Sequence, residues 1–375
     1  MRVLVANAGS SSLKLRLLDP GDHLVASQEL EITNGRADQG EVAEALRRLG
    51  SADAVGHRIV HGGAEFTHAV RVDRDVERRL HALVGLAPLH QAIALDVMAT
   101  VSHTLPQLPV IACFDTAFHC DMPADAATYA LPETWRRKWN LRRYGFHGLS
   151  RAYSAWRAAQ VLARNSAGLR VVTCHLGAGA SLAAVMDNHS RDTTMGFTPL
   201  EGLVMATRPG NVDAGLLLWL EQHEGVSAAE LSDALEHRSG LLGLTGTPDM
   251  KQILLRAGSG DPSAQLGLDV YIHRLRAGVA SMAAAMGGLD VLVFTGGVGE
   301  NAPEVRQRAA NGLRFLGVVV DPELNGEGHG DREISRAGAG VRTLVVIARE
   351  DIEIARQVRE VMSARAPSAT RGHRR

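Results

Sequence analysis

The sequence predicts an α/β protein made of two related halves. Strand-like apolar runs alternate with stretches of helical periodicity, the pattern of layered sheets and helices. Two segments, Val3 to Asp19 and Val171 to Asp187, share one plan: an apolar strand, a Gly/Ser-rich turn and a second strand. They align without a gap, so that Gly9 meets Gly177. At 375 residues the chain also exceeds what one hydrophobic core usually serves, and two domains are therefore expected.

The remaining elements follow in chain order. Buried strands are predicted at residues 55–60, 110–113, 171–175, 291–295 and 343–347. Helices are predicted at residues 76–84, 93–104, 214–223, 228–236, 266–286 and 351–363. The final residues, 364–375, are small, polar and basic, and we expect them to be disordered.

Composition excludes several classes of protein. The 40 basic and 41 acidic residues nearly balance and form no basic stripe, so nucleic acid is not an expected partner. The chain opens on a strand instead of a charged and then apolar leader, and no run of about 18 apolar residues could span a bilayer. Its 3 cysteines have neither a disulfide framework nor metal-ligand spacing. We therefore expect a cytoplasmic protein with reduced thiols and no membrane partner.

The two Gly/Ser turns suggest phosphate binding. Small residues let backbone N–H groups converge on an anion, and two such turns suggest two halves that grip one polyphosphate. The alternative is an ordinary pair of β-hairpins. A Walker A loop is excluded because the sequence around Lys14 lacks the second glycine, and a dinucleotide fingerprint because the turn at Gly177 continues as a strand. The protein kinase motifs are absent as well.

Five further segments carry chemically active side chains in loops rich in glycine or proline, most of them at strand ends, where α/β proteins place ligands. These segments supply Arg58, Asp115 with His119, His147, Arg208, and a Gly-rich turn at residues 294–301 that suits a phosphate or a flat ring. Any one of these side chains alone is more often a structural hydrogen-bonding group. Their common placement favours an active site.

Nine motifs follow one another in an order typical of one family. They are NAGSSSLK at Asn7, GHRIVHGG at Gly56, LAPLH at Leu86, FDTAFH at Phe114, RRYGFHG at Arg142, HLGAGAS at His175, MGFTPLEGL at Met195, SGLLGLTG at Ser239 and FTGGVGEN at Phe294. Together they resemble the acetate kinases, which belong to the actin, sugar kinase and Hsp70 superfamily. The resemblance implies two duplicated ribonuclease-H-like (actin-like ATPase) domains, with the active site in the cleft between them.

The resemblance also implies domain boundaries and an assembly. The N-terminal domain, residues 1–119 with a returning helix in residues 353–375, would bind the acyl and phosphate groups. Residues 120–352 would bind the nucleotide and hold two copies together as a homodimer.

By the same resemblance, the chain would transfer the γ-phosphoryl group of ATP to acetate, reversibly and with Mg²⁺ or Mn²⁺. A carboxylate is already a nucleophile near pH 7, so catalysis must come mostly from alignment and charge neutralisation. Arg58 would hold the acetate carboxylate, while Arg208 and His147 would stabilise the transferring phosphoryl group. Asp115 occupies the family's acid/base position, and we favour a role in which it orients an arginine or the metal.

The resemblance assigns the other site residues. The metal would be bound by Asn7 and Glu350. ATP would contact Lys14, His175, Leu176, Gly177, Ala178, Gly179, Asp249, Met250, Lys251, Gly297, Val298, Gly299, Glu300 and Asn301. The acetate methyl group would lie in a small pocket of Val60, Leu89, Phe146 and Pro199, with Arg58 on the carboxylate. The histidines His90 and His119 either support the site or are purely structural.

Several positions depart from the family pattern. Ala178 replaces an asparagine, Lys251 an arginine, and Arg151 a polar residue of different shape. Pro209 and Asn211 replace a serine and an aspartate. These changes bear on nucleotide affinity and on the identity of the phosphoryl donor. Two alternatives stay open: a kinase for propionate or a longer acid on the same fold, and a non-catalytic nucleotide-sensing module.

Overall fold

A computed structural model describes residues 1–9, 12–33 and 37–364. For residues 88–90 it describes the backbone but not the side chains. The chain divides into two compact units. Unit 1 holds residues 1–117 and the segment that begins at Glu350, and unit 2 holds residues 118–349. The predicted boundaries, after residues 119 and 352, lie two and three residues from these positions, and the returning helix begins at Glu350. The predicted disordered tail lies outside the described residues from position 365 onward.

The described residues form one six-stranded sheet in each unit. The strands of unit 1 are β1 (Val3–Ala8), β2 (Ser12–Leu18), β3 (Leu24–Glu31), β4 (Ala54–Ile59), β5 (Val70–Arg71) and β6 (Val110–Phe114). Those of unit 2 are β7 (Arg170–Leu176), β8 (Ala180–Met186), β9 (His189–Thr193), β10 (Val291–Thr295), β11 (Arg332–Glu333) and β12 (Arg342–Val345).

The α-helices of the described residues connect and cover these strands. They are α1 (Gln39–Leu49), α2 (Arg74–Ala82), α3 (Pro88–Thr104), α4 (Ala124–Ala127), α5 (Glu133–Trp139), α6 (Gly148–Val161), α7 (Ala214–His223), α8 (Ala228–Asp233), α9 (Gly240–Thr245), α10 (Met250–Gly258), α11 (Pro262–Ala285), α12 (Gly296–Asn301), α13 (Pro303–Asn311), α14 (Pro322–Gly326) and α15 (Glu350–Ser363). None of these helices combines the length and the apolarity that a membrane crossing requires.

Both sheets have the same topology. The strand order is β3-β2-β1-β4-β6-β5 in unit 1 and β9-β8-β7-β10-β12-β11 in unit 2. In each sheet, three antiparallel strands are followed by two strands parallel to the first one, and a two-residue antiparallel strand forms the far edge. The prediction of a duplicated α/β fold is therefore confirmed, and the two Gly turns occupy equivalent positions, between β1 and β2 and between β7 and β8.

The sequence pattern explains the two kinds of strand. In β2, Leu13, Leu15 and Leu17 are buried, while Lys14 and Arg16 between them face the other side of the sheet. By contrast, β6 and β10 are buried along their whole length and are apolar or small at every position before the final threonine of β10. Parallel strands covered on both faces have this composition.

Two predicted helices begin earlier than expected because each starts with a proline. The helix predicted at 93–104 begins at Pro88, and the one predicted at 266–286 begins at Pro262. Proline suits the first helical position because its missing N–H would have no helical partner there. In α11, Asp261 completes the start by accepting hydrogen bonds from the N–H groups of Ser263 and Ala264.

The returning helix α15 packs directly on β4. A Cβ atom at Gly56 would lie 2.5 Å from Cγ2 of Ile354 and 2.7 Å from Cγ2 of Val358, so this position in the strand needs glycine. An ion pair of 3.2 Å between Arg16 and Asp351 ties the first turn of α15 to β2. These contacts place the first residue of the helix, Glu350, at the edge of the sheet of unit 1.

Candidate active site

Four predicted site residues form one hydrogen-bonded network in unit 1. Arg58 on β4 donates from Nε and Nη2 to Oδ2 of Asp115, at 3.0 and 2.7 Å. They meet because β4 and β6 are parallel neighbours, and Asp115 directly follows β6. Arg58 Nη1 donates to Oδ1 of Asn7 at 3.2 Å, and Asn7 Nδ2 donates to Oε2 of Glu350 at 2.6 Å. Strand β1, strand β4, the residue after β6 and helix α15 thus each supply one member.

The network holds a charged guanidinium in a nearly buried position. The side chain of Arg58 is 13% exposed and that of Asp115 is 1% exposed. Burial opposes the charge of Arg58, but the carboxylates of Asp115 and Glu350 outweigh this effect and raise the pKa of Arg58 above its ordinary value. A fixed guanidinium of this kind can bind a carboxylate or a phosphoryl group.

The first Gly turn connects β1 and β2, which carry Asn7 and Lys14. These two residues are paired directly across β1 and β2, so their side chains project from the same face. Gly9 N donates to Ser12 O at 2.8 Å, and residues 10 and 11 lie outside the described part of the chain. Lys14 Nζ is 3.8 Å from Oε1 of Glu29, and its side chain is 46% exposed. Its contact with a phosphate group stays a prediction.

The second Gly turn, in unit 2, is faced by two predicted catalytic side chains. Gly177 N donates to Gly179 O at 3.0 Å. A Cβ atom at Gly179 would lie 2.9 Å from Nη2 of Arg208 and 3.4 Å from Nε2 of His147. Glycine therefore allows the guanidinium and the imidazole to approach the backbone of the turn together.

Arg208 is held by the loop that carries it. Its Nη1 donates to the carbonyl oxygen of Pro199 at 2.8 Å. Burial lowers the pKa of Arg208 below its ordinary value, yet an arginine keeps its charge in proteins. The start of α9 closes against the same loop, because Gly240 has a φ of 61° and a Cβ atom there would lie 2.6 Å from Arg208 O. The SGLLGLTG motif thus supports the arginine.

His147 and His175 form a stacked pair. Their ring centroids are 4.4 Å apart, and the ring planes differ by 17°. The Nδ1 atom of each ring contacts a serine hydroxyl, Ser181 Oγ at 2.9 Å for His147 and Ser150 Oγ at 2.8 Å for His175. His147 also has a positive φ of 58°, at the residue that precedes α6. Backbone, stacking and hydrogen bond therefore all fix the orientation of this ring.

The three predicted nucleotide segments line one cavity of about 630 Å³ in unit 2. Predicted residues in its wall are Gly177, Ala178, Asp249, Met250, Lys251, Gly297, Val298 and Asn301. Further wall residues, which the sequence did not indicate, are Ala206, Leu241, Pro248, Leu254, Tyr271 and Ala302. Three of these, Leu241, Leu254 and Tyr271, lie in three different helices, and no single sequence pattern links the six. The volume falls in the range of cofactor sites, about 300–1,000 Å³.

Two of the predicted nucleotide residues, Leu176 and Glu300, are not among the residues that line this cavity. Leu176 is fully buried in β7. The Oε1 atom of Glu300 accepts hydrogen bonds from the N–H groups of Gly296 and Ala348, both at 2.9 Å. Glu300 thus joins the start of α12 to the segment after β12, which shapes the nucleotide turn from behind. A direct contact of either residue with ATP stays a prediction.

The predicted acyl pocket residues come from both units. Val60 follows β4 in unit 1 and is 5% exposed, while Phe146 in unit 2 is 2% exposed. The side chains of Leu89 and His90 lie outside the described part of the structure. The pocket of Val60, Leu89, Phe146 and Pro199 therefore stays a prediction.

His119 is buried next to this part of unit 2. Its Nδ1 is 2.7 Å from Ser190 Oγ, and its Nε2 is 3.1 Å from Phe146 O. Burial lowers the pKa of His119 to about 3, so the ring is neutral near pH 7. These contacts fit a supporting position behind Phe146.

The residues predicted to bind the metal offer oxygen atoms in one place. No group of three or more His, Cys, Asp or Glu side chains within the described residues could hold a metal ion alone. The Glu350 carboxylate and the Asn7 amide nevertheless fit Mg²⁺, which prefers oxygen and commonly keeps one or two protein ligands with waters and substrate phosphates. The donor set therefore suits a metal that arrives with a nucleotide.

Comparisons with known proteins agree on one family. The model of the acetokinase family matches residues 39–356. The chain is 40% identical over 399 aligned positions to the acetate kinase of Trichormus variabilis, and the match covers 95% of this chain and 98% of that protein. The crystal structure of Porphyromonas gingivalis acetate kinase superimposes with a TM-score of 0.88 at 35% identity, covering 96% of this chain and 99% of that chain. A propionate kinase from Francisella tularensis gives a TM-score of 0.88 at 34% identity, covering 95% and 98%. The chain belongs to the acetokinase family.

Proposed function

We propose that the chain is an acetate kinase, which transfers the γ-phosphoryl group of ATP to acetate and catalyses the reverse reaction as well. The observation that carries the proposal is in unit 2, where the turn Gly177–Gly179 both lines a nucleotide-sized cavity and is faced by Arg208 and His147. A phosphate chain that leaves the cavity along this turn meets a guanidinium and an imidazole at its end. This arrangement suits the transfer of a terminal phosphoryl group.

The reaction is a single in-line displacement. An acetate oxygen forms a bond to the γ-phosphorus, the bond from that phosphorus to the β,γ-bridging oxygen breaks, and the electron pair leaves with ADP. Acetyl phosphate is the second product. No proton has to be removed from the nucleophile, so the enzyme's contribution is position and charge.

Arg58 binds the acetate carboxylate. Its hydrogen bonds to Asp115 and Asn7 use three of the five guanidinium N–H groups, and the others supply donors for acetate. Asp115 serves as the orienting carboxylate and not as a base. Two bonds to one carboxylate oxygen fix the plane of the guanidinium, which fixes the direction of approach of the nucleophile.

Arg208 and His147 stabilise the transferring group. Their Nη2 and Nε2 atoms both face Gly179, so they converge on the position that an equatorial phosphoryl oxygen would take. An arginine in this position contributes about 10³- to 10⁵-fold to the rate in related phosphoryl transfers. Arg208 is preorganised by its bond to Pro199, and the stacked partner His175 limits rotation of the His147 ring.

Mg²⁺ would be held by Glu350 and Asn7 together with waters and phosphate oxygens. When bound, the ion neutralises negative charge on the β- and γ-phosphates. Asn7 also accepts a hydrogen bond from Arg58, so the acetate-binding guanidinium and the proposed metal ligand are in direct contact.

A homodimer and a cytoplasmic location complete the proposal. Helix α7 exposes Leu216, Leu218 and Trp219 at 48%, 53% and 47%, and none of its residues is buried. An apolar helical face of this kind favours an interface. The cytoplasm is the compartment that supplies ATP. Light scattering after size-exclusion chromatography should give a dimer for the purified protein and a monomer for Trp219→Asp.

Propionate phosphorylation is the second candidate, because one of the similar solved structures is a propionate kinase. A hydrophobic pocket distinguishes one methylene group by only about 1–3 kcal/mol. Acetate and propionate kinases therefore differ in degree, and the order of kcat/KM decides between them.

The deciding experiment is turnover of Mg-ATP with acetate, propionate and butyrate, with the acyl phosphate trapped by hydroxylamine. The highest kcat/KM on acetate supports the proposal, and a preference for propionate or butyrate replaces it with the second candidate. Calorimetric binding of ATP without product from any acid would leave only a nucleotide-sensing module. Arg208→Ala serves as the inactive control and should lose at least 10³-fold in kcat.

A further inference from the structure

The charged side chain of Arg151 is fully buried in unit 2, where a guanidinium needs a specific reason to lie. Arg151 lies in α6, and it replaces a polar residue of different shape in the family pattern. Arg151 Nη1 donates to Thr173 O at 2.8 Å and to Thr173 Oγ1 at 3.2 Å. Its Nη2 donates to the hydroxyl of Ser181.

Ser181 stands between this guanidinium and the ring of His147. A guanidinium has no acceptor, so Ser181 Oγ accepts from Arg151 and uses one of its two lone pairs. The same oxygen is 2.9 Å from Nδ1 of His147. Either the serine O–H donates to Nδ1, or a protonated Nδ1 donates to the second lone pair of the serine.

The charge of Arg151 favours the first arrangement. A hydroxyl that accepts from a cation becomes a poorer acceptor and a stronger donor, because neighbouring hydrogen bonds polarise one another. A ring protonated on both nitrogens would place a further positive charge between Arg151 and Arg208, whose Nη2 lies on the other side of the ring near Gly179. The serine proton is therefore directed to Nδ1, and the ring's own proton is on Nε2.

We propose that Arg151, acting through Ser181, is a positioning residue that holds His147 as the Nε2–H tautomer. The role of that tautomer rests on the proposed function, because Nε2 is the atom that faces Gly179 and would donate to the transferring phosphoryl group. With the proton on Nδ1 instead, a lone pair would face the negatively charged phosphoryl oxygens. We call the hydrogen-bonded chain from Arg151 through Ser181 to His147 the relay. It decides whether His147 attracts or repels its ligand.

The stacked partner supplies an internal comparison. His175 Nδ1 also contacts a serine, Ser150, but Ser181 is the serine that receives the buried guanidinium. A third pair, His119 Nδ1 with Ser190 Oγ at 2.7 Å, uses a different serine, and its Nε2 lies 3.1 Å from the carbonyl oxygen of Phe146, the residue before His147. Ser190→Ala is therefore a matched control that removes a buried serine from a histidine outside the relay.

The experiment is long-range ¹H–¹⁵N correlation spectroscopy of the full chain labelled in its 16 histidines, which reports which nitrogen of each ring carries the proton. His147→Gln assigns the signal. The unsubstituted protein, free of substrates, should show His147 protonated at Nε2 and unprotonated at Nδ1. Ser181→Ala and Arg151→Met should each move the Nδ1 and Nε2 shifts of His147 toward values averaged over the two tautomers. Ser190→Ala should leave them in place.

Kinetics of Ser181→Ala provide the second readout. The kcat should fall about fivefold to tenfold, the worth of one buried hydrogen bond, while KM for ATP and acetate stays within about twofold. Ser181→Thr, which keeps the hydroxyl, should restore the Nε2–H signature. If Arg151→Met fails to fold, Ser181→Ala alone decides.

Protonation of Nδ1 in the unsubstituted protein, or an unchanged tautomer in Ser181→Ala, overturns the inference. The spectra are independent of turnover, so they separate this failure from that of the proposed function. An active kinase with Nδ1 protonated refutes only the relay. A protein with the expected spectra that forms no acyl phosphate keeps the relay and refutes the proposed function.

Discussion

Replacing Asp115 by asparagine tests whether this carboxylate acts by orienting the guanidinium of Arg58. The carboxylate accepts two hydrogen bonds from the guanidinium, at 3.0 and 2.7 Å, in a position that is 1% exposed. Asparagine keeps the shape and one acceptor oxygen but loses the charge. A hydrogen bond to a charged group contributes about 1.5–3 kcal/mol and a neutral one about 1 kcal/mol. The difference is about 0.5–2 kcal/mol per bond, or about 1–4 kcal/mol for the two bonds. We expect a loss near the middle of this range, about 2–3 kcal/mol, which at about 1.4 kcal/mol per tenfold is about 30- to 150-fold in kcat/KM for acetate.

The assay is a double-mutant cycle with Arg58→Ala. If Asp115 acts through Arg58, then Asp115→Asn should change kcat/KM by no more than about twofold once Arg58 is absent. If Asp115 were an independent general base, its effect would stay at about 30-fold or more in both backgrounds. Additive losses would therefore refute the orienting role.

Asp290→Asn is the matched control for this substitution. Asp290 accepts from Nε and Nη2 of Arg170, at 3.0 and 2.8 Å, so it makes a similar two-bond contact with an arginine elsewhere in unit 2. We expect less than a twofold change in kcat/KM for this variant. A loss as large as that of Asp115→Asn would mean that weakening any such pair lowers activity, and the effect of Asp115→Asn would then not be specific to Arg58.

Three further predictions concern the nucleotide turn and the response to acid. Gly179→Ala should lower kcat at least tenfold with an unchanged circular dichroism spectrum, because the new Cβ atom would lie 2.9 Å from Nη2 of Arg208; normal turnover would show that the turn tolerates a side chain. Ala178→Asn should tighten ATP binding about fivefold in calorimetry, because Ala178 lines the cavity and asparagine adds one donor; an unchanged Kd would contradict this. His119 resists protonation in the folded state, with a pKa of about 3 against about 6.5 when unfolded, so the free energy of unfolding should fall by up to about 1.4 kcal/mol per pH unit below about pH 6.5. Urea titrations between pH 7 and 4.5 should show a shallower fall for His119→Gln, and an equal slope would contradict the assignment.

The duplicated fold was predictable because its signal is local. The strand, glycine turn and strand at Val3–Asp19 and Val171–Asp187 appear as the paired hairpins β1–β2 and β7–β8. The family prediction is confirmed by the match to residues 39–356. Residues at the ends of strands, such as Arg58 and Asp115, could be expected to meet because parallel neighbours end at the same edge of a sheet.

The parts that could not be predicted depend on contacts between distant segments. The sequence did not indicate that Arg151 is buried, and only the approach of β7 and β8 makes it a buried donor to Thr173 and Ser181. Glu300 lies in the predicted nucleotide motif, yet its carboxylate binds backbone N–H groups. The apolar wall residue Tyr271 comes from a long helix whose periodicity shows burial but not what it faces.

The packing of α15 on Gly56 has a consequence for folding during synthesis. Residues 118–349 form a continuous unit, whereas unit 1 is completed only by the helix that begins at Glu350. Until the ribosome has made that helix, the groove over Gly56 that receives Ile354 and Val358 is uncovered. The second unit can therefore fold before the first is complete, although domains generally fold in order from the N-terminus. A released chain truncated after residue 349 should accordingly protect unit 2 from proteolysis and leave the first sheet sensitive, and Glu350, the carboxylate proposed to bind Mg²⁺, joins the polypeptide only with this helix.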